Sequence, residues 1–144
     1  MKLEDIQTQW ELDCKIDRTE LGEESLRIPQ LHSKYFKIYS SERLTLKKLE
    51  SDYKILYKQK HEYFNGNISE EELNENGWEP FQLKLLKSDI PLYMEADSDL
   101  IKIKQRIELQ QEKLDFLDSV IKSLTNRGFQ IKNAIDWMKF TQGA

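Results

Sequence analysis

Apolar residues in the last third of the chain recur at steps of three and four. Leu100, Ile103, Ile107, Gln110, Leu114, Leu117, Ile121 and Leu124 make one seam with a single polar member. That period predicts a long helix carrying a coiled-coil-like stripe. Its start falls between Pro91 and Asp99, and Gly128 supplies a stop signal just after Arg127. Beyond it, Ile131, Ala134, Ile135 and Met138 share one face of a short terminal helix, with Trp137 beside them. A second stripe, Tyr39, Leu46, Leu49, Tyr53, Leu56 and Tyr63, runs through residues 29–64. Pro29 suits the first turn of a fresh helix, and Asn65 with Gly66 suits its C-terminal cap. Upstream, Leu3, Ile6, Trp10 and Cys14 at helical spacing predict a short first helix ending near Asp17, with Cys14 as a small buried residue. Asp17, with Glu20 three places on, then offers an N-cap.

Between the two long stripes the pattern fails. "NISEEELNENGWEPFQ" at 67–82 carries five glutamates and no Lys or Arg. Ser69 and Glu72 have capping-box spacing for one short helix before Gly77, and the remainder is expected to be a mobile acidic linker. Composition agrees with this picture: of 144 residues 38% are hydrophobic and 33% charged, which favours long, well-solvated helices over a compact α/β globule. The expected class is therefore all-α, with a coiled-coil-like oligomerisation helix and a short terminal helix near the C-terminus. The single cysteine cannot form an internal disulfide, so a cytosolic setting is expected. The acidic start "MKLEDIQTQW" does not resemble a signal peptide, and no apolar run approaches a membrane span.

The formal net charge of −4 hides an uneven distribution. Residues 34–61 hold eight Lys/Arg against three Asp/Glu, a local +5, leaving −9 for the rest. Arg43, Lys47, Lys54, Lys58 and His61 are spaced by three, four or seven and fall on one helix line. That line ends in "YKQKHEYFNG", where Lys60 lies one turn from Tyr57 and from Phe64. Cations in file beside Tyr57, Tyr63 and Phe64 combine phosphate-tracking charge with stacking rings, as in sequence-tolerant binding of single strands. The same residues also fit a solvated helix end whose lysines complement the helix dipole and whose tyrosines are core. Two readings are likewise open for the Leu100 seam: a hairpin partner for the 29–64 helix, or a self-association surface to which Leu109, Phe116 and Val120 add positions.

Nothing in the chain has the spacing of a catalytic constellation. There is no Gly-rich phosphate loop, no nucleophile with a base beside it, and the two histidines, His32 and His61, are far apart in sequence. Glu70, Glu71 and Glu72 form a carboxylate run without the carbonyl-rich turns of a cation cage, so no metal and no cofactor is expected. Two rivals to strand binding follow: a structural coiled-coil adaptor without nucleic-acid contact, and a metal-dependent enzyme built on those carboxylates.

Several segments carry a resemblance. "KLEDIQ" at the start, "KIDRTEL" at 15–21, "SKYF" with "YSS" at 33–41, "YKQKHEYFNG", "LDF" and "RGFQIKNAIDWMKF" together resemble the UvsY-type recombination mediators of large tailed phages. The likeness is distributed over most of the chain, and its weight comes from the joint occurrence of the pieces. It implies a small helical protein that forms a ring-like homo-oligomer, six- or sevenfold, through its C-terminal helices. It also implies single-stranded DNA binding, and partnership with a RecA-like phage recombinase and the phage single-strand-binding protein, in the cytoplasm of the infected bacterial host. A basic pair tied to DNA binding in that family falls by position on Lys58 and Lys60, although arginine is expected at position 60. The acidic segment is longer and more acidic than the resemblance leads one to expect. The organisation expected is thus a helical DNA-binding region at 1–66, an acidic linker at 67–90 and a helical oligomerisation region at 91–144.

Overall fold

The computed structural model describes residues 1–143. In chain order the helices are α1 (Leu3–Asp13), α2 (Leu21–Asn65), α3 (Glu70–Asn76), α4 (Ile90–Ala96) and α5 (Ser98–Thr141), and the described residues contain no strand. The all-α class with long helices is as expected. The chain divides into two compact units, one of Met1–Leu44 with the chain from Gln111 onward, the other of Thr45–Gln110. Each long helix contributes residues to both cores.

In the first unit α1, the start of α2 and the second half of α5 bury Ile6, Leu31, Tyr35, Leu117, Val120 and Leu124, with Trp10, Ile38, Tyr39, Phe116 and Ile121 packed around them. Trp10 meets Tyr35 edge-on at 5.3 Å. The Tyr35 hydroxyl donates to Asp13 Oδ2 at 2.8 Å, and Lys34 Nζ (2.6 Å) and Arg27 Nη2 (3.1 Å) pair with the same carboxylate. Burial pulls the Asp13 carboxyl upward, but the hydrogen bonds from Lys34 and Tyr35 and the charges of Lys34 and Arg27 outweigh it and hold the group below its usual range. Burial first, and then the bond to Asp13, push the Tyr35 hydroxyl well above its ordinary value.

Several local features differ from expectation. First, α1 stops at Asp13 rather than near Asp17, because Arg127 donates to the carbonyls of Asp13 (3.1 Å) and Lys15 (3.0 Å) and so satisfies acceptors that a longer helix would have used internally. Asp17 then makes an Asx turn, its Oδ1 accepting from the Thr19 amide and hydroxyl, and α2 begins at Leu21. Cys14, just past the end of α1, is exposed. Second, Pro29 lies inside α2 instead of opening it. An interior proline costs about 3 kcal/mol, yet the turns on both sides are anchored, by the buried Glu24–Arg127 pair at 3.0 Å and by buried Leu31. Third, α5 continues through Gly128 to Thr141, absorbing the expected terminal helix. Gly128 keeps negative φ, and the flanking Arg127 and Ile131 are both buried, which offsets the roughly 1 kcal/mol that glycine costs a helix interior.

The second unit has its own core of Phe64, Ile90, Met94 and Leu100, with Tyr53, Leu56, Tyr63, Phe81, Leu85 and Tyr93 against it. α2 ends as expected. Gly66 at φ 75° closes it with the Asn67 amide on the Glu62 carbonyl (2.9 Å) and the Gly66 amide on Tyr63 (3.2 Å), a Schellman cap. α3 is capped by Ser69, whose Oγ accepts from the Glu72 amide at 3.2 Å, and its first turn holds the three glutamates where they complement the helix dipole. The stretch expected to be a loose acidic linker is therefore structured in part. Phe81 packs edge-on against Phe64 at 5.2 Å, Trp78 meets Tyr63 at 5.4 Å, and the Tyr63 hydroxyl donates to the Glu79 carbonyl at 2.6 Å. Composition pointed to solvent, but the rings of Trp78 and Phe81 outweigh the charge around them.

Candidate nucleic-acid interface

The basic line divides between the units. In the first, Arg43 is exposed and lies over the Tyr39 ring, 5.7 Å from its centroid. In the second, Lys47, Lys54, Lys58 and His61 are all exposed on α2. The Lys58 side chain is 80% exposed, with Glu62 at 3.8 Å. Such an exposed i,i+4 pair is worth about 0.3–0.5 kcal/mol and yields readily to a phosphate. His61 Nδ1 lies 3.0 Å from Asn65 Nδ2. Tyr57, one turn from both Lys54 and His61, is 45% exposed.

Lys60 is in a different place. Its side chain is 6% exposed, with Nζ 3.1 Å from Asp97 and 2.9 Å from Asp99, and it sits 4.1 Å from the centroid of a Trp78 ring. Asp97 also caps α5 by accepting from the Leu100 amide at 3.0 Å. Lys60 thus ties the end of α2 to the start of α5, and to reach a phosphate it must leave two carboxylates and a ring. A compact ammonium fits between two carboxylates as a point charge. The three rings expected beside the cations separate likewise. Phe64 is buried and Tyr63 is engaged with Trp78, Phe81 and the Glu79 carbonyl, so of the three only Tyr57 faces solvent as a stacking surface.

Sequence reasoning missed the cations at the start of α5. Lys102, Lys104 and Arg106 are exposed, and Lys104 Nζ lies 5.7 Å from the Tyr53 centroid. The cluster "KIKQR" is plain in the chain, but the apolar seam running through it points to association instead. That seam is consumed inside the chain: Leu100 and Ile103 are buried and Ile107 half-buried in the second unit, while Leu114, Leu117 and Leu124 are buried and Ile121 half-buried in the first. This is the intrachain alternative. The large apolar residues left in solvent on α5 lie elsewhere, among them Leu109, Phe129, Trp137, Met138 and Phe140.

An exposed file of cations on a helix, with a solvent-facing ring among them on an all-helical scaffold, has the features of one class: helical proteins that bind single-stranded nucleic acid through its backbone. The family model described as "Recombination, repair and ssDNA binding protein UvsY" matches residues 9–144, and the chain belongs to that family. It is 28% identical over 143 residues to the recombination protein uvsY of Enterobacteria phage T4, with 99% of each chain covered. Crystal structures of the bacteriophage T4 recombination mediator protein UvsY share the fold. One superposes with a TM-score of 0.84 at 26% identity, covering 97% of this chain and 99% of that one. A second lattice form gives 0.84 at 27%, covering 99% and 98%. No helix among the described residues is long and apolar enough to cross a membrane.

Proposed function

We propose that this protein is a recombination mediator. It holds single-stranded DNA along the exposed face of α2 and promotes loading of a RecA-like recombinase onto DNA covered by single-strand-binding protein. The observation that carries the reading is the file Lys47, Lys54, Lys58 and His61, solvent-facing with Tyr57 among it, in a chain of the UvsY family. Arg43, in the first unit, is exposed as well. Support for the mediator role comes from the T4 relative, whose structures carry that description. A mediator shifts the equilibrium toward the filament only by binding the strand in a form the recombinase prefers. Weak single sites add by avidity in a ring-like homo-oligomer, six- or sevenfold by family resemblance. With the Leu100–Leu124 seam buried within each chain, Trp137 and Phe140, stacked at 5.9 Å and exposed on the last turns of α5, are the surface for self-association.

The experiment is fluorescence anisotropy of a labelled oligothymidylate at 50 and 200 mM salt, with wild type and a Lys47→Ala/Lys54→Ala/Lys58→Ala variant. Removing one phosphate contact flattens the salt slope by about 0.7 log unit, so the variant is expected to lose about 2. An unchanged slope in a helical, folded variant refutes the α2 site. Failure of wild type to bind at either salt favours the adaptor. A strand-exchange assay on DNA coated with single-strand-binding protein then tests recombinase loading.

A further inference from the structure

Beside Tyr57 the second unit holds a cleft of about 210 Å³ between α2, α4 and the start of α5. Met94 and Leu100, both buried, supply apolar wall, while Tyr57 and Ile101, 45% and 40% exposed, stand at the solvent side. Tyr53 and Tyr57 line it together, ring centroids 5.9 Å apart and tilted by 47°. Glu95 and Lys104 are also in the lining, with the Lys104 ammonium 5.7 Å from the Tyr53 centroid.

We infer that this cleft receives one unstacked base of the bound single strand. The inference rests on the α2 reading above and deepens it. A dry cavity of roughly 150 Å³ is enough for a benzene ring, so this one admits a nucleobase. The two tyrosine rings are too close to sandwich a base, which instead lies against the pair with its other face on the aliphatic wall of Met94 and Leu100. Every base has a π-face, so such a seat tolerates any sequence. The charges select base over phosphate. Glu95 in the lining repels a phosphate but accepts an N–H from a base edge. Lys54 and Lys58, flanking Tyr57 on α2, and Lys104 on α5 supply cations for the phosphates on either side of the inserted nucleotide. The cleft accounts for Tyr53, Ile101 and Lys104, which the basic line alone leaves without a role.

The test compares an ordinary oligothymidylate with an abasic strand of equal length, which keeps the phosphates and removes the bases. Wild type is expected to prefer the base-bearing strand, by about five- to 150-fold for each base seated. Tyr57→Ala, which removes the ring, and Ile101→Trp, which plugs the mouth, should each abolish the preference, and Ile101→Trp should leave abasic-strand affinity and the salt slope unchanged. Both positions are solvent-facing, and unaltered helicity by circular dichroism checks folding. Equal wild-type affinity for the two strands, or a preference that survives in either variant, overturns the base seat. The α2 line still stands in that case if Lys58→Ala flattens the salt slope. If wild type binds neither strand, the α2 reading has failed and the base seat fails with it.

Discussion

Lys58 and Lys60 differ by two positions and occupy opposite environments, so replacing each by alanine should give opposite phenotypes. Removing Lys60 leaves Asp97 and Asp99 facing each other without their cation. Breaking a buried pair by deleting one partner costs about 3–5 kcal/mol. Here Asp99 is 42% exposed and can be hydrated, and Asp97 keeps the Leu100 amide, so the lower end applies. Loss of the cation over the Trp78 ring adds roughly 1 kcal/mol. Lys60→Ala should therefore destabilise the second unit by about 3–4 kcal/mol, while Lys58→Ala should stay within about 0.5 kcal/mol. On DNA the order reverses. Lys58→Ala should flatten the salt slope by about 0.7 log unit, roughly 2.5-fold in affinity across a fourfold change in salt. Lys60→Ala, in conditions where it is folded, should weaken binding without changing the slope, because its ammonium is held by Asp97 and Asp99 and positions the end of α2. Urea unfolding followed by circular dichroism gives the stabilities, and anisotropy at several salt concentrations gives the slopes. If Lys60→Ala were as stable as wild type and cost the same slope as Lys58→Ala, its ammonium would be a phosphate ligand and the buried ion pairs would not describe the binding form.

Leu117 is fully buried in the first core, and Leu117→Ala should cost about 3 kcal/mol in urea unfolding; Leu117→Glu should unfold that unit rather than release folded monomers, an outcome circular dichroism on the sedimented species would expose. Acid should act through Asp13. Its folded-state carboxyl lies below the ordinary 3.8, so its stabilisation is complete above that value and is lost as pH falls through the lower folded value. Asp13→Asn should be less stable at neutral pH and flatter than wild type in an acid titration below about pH 4, and parallel curves would refute the role. Trp137→Ser with Phe140→Ser should leave helicity unchanged and lower the sedimenting mass; an unaltered mass would move self-association off the end of α5.

Features whose causes lie within a turn or two of chain were legible. The long helices follow from 3.6-residue periodicity, the end of α2 from Asn65 and Gly66, and α3 from Ser69 at its start and Gly77 at its end. That Lys47, Lys54, Lys58 and His61 share one line followed from spacing alone, since residues three, four and seven apart lie on one helix face wherever that face points. What spacing could not say was which side of α2 meets a neighbour. Lys60 looked like another member of the cationic end because Asp97 and Asp99, which bury it, lie far along the chain. The same separation hid the packing of Trp78 and Phe81 on Tyr63 and Phe64.

The breakers show the division most plainly. Pro29 and Gly128 carry local penalties of about 3 and 1 kcal/mol, enough to end a helix that has only itself for support. In the fold the buried pair of Glu24 and Arg127 clasps the chain just before each breaker, and Leu31 and Ile131 are buried just beyond them. Helical class, the caps at Gly66 and Gly77 and the cationic face could be read from the chain alone, because each depends on backbone preferences and on a period that is the same in any context. Three features could not: that α2 and α5 run through their breakers, that the Leu100 seam is core, and that Lys60 is a buried tie. Each of these is set by burial against residues distant in sequence, which outweighs local penalties of a few kcal/mol.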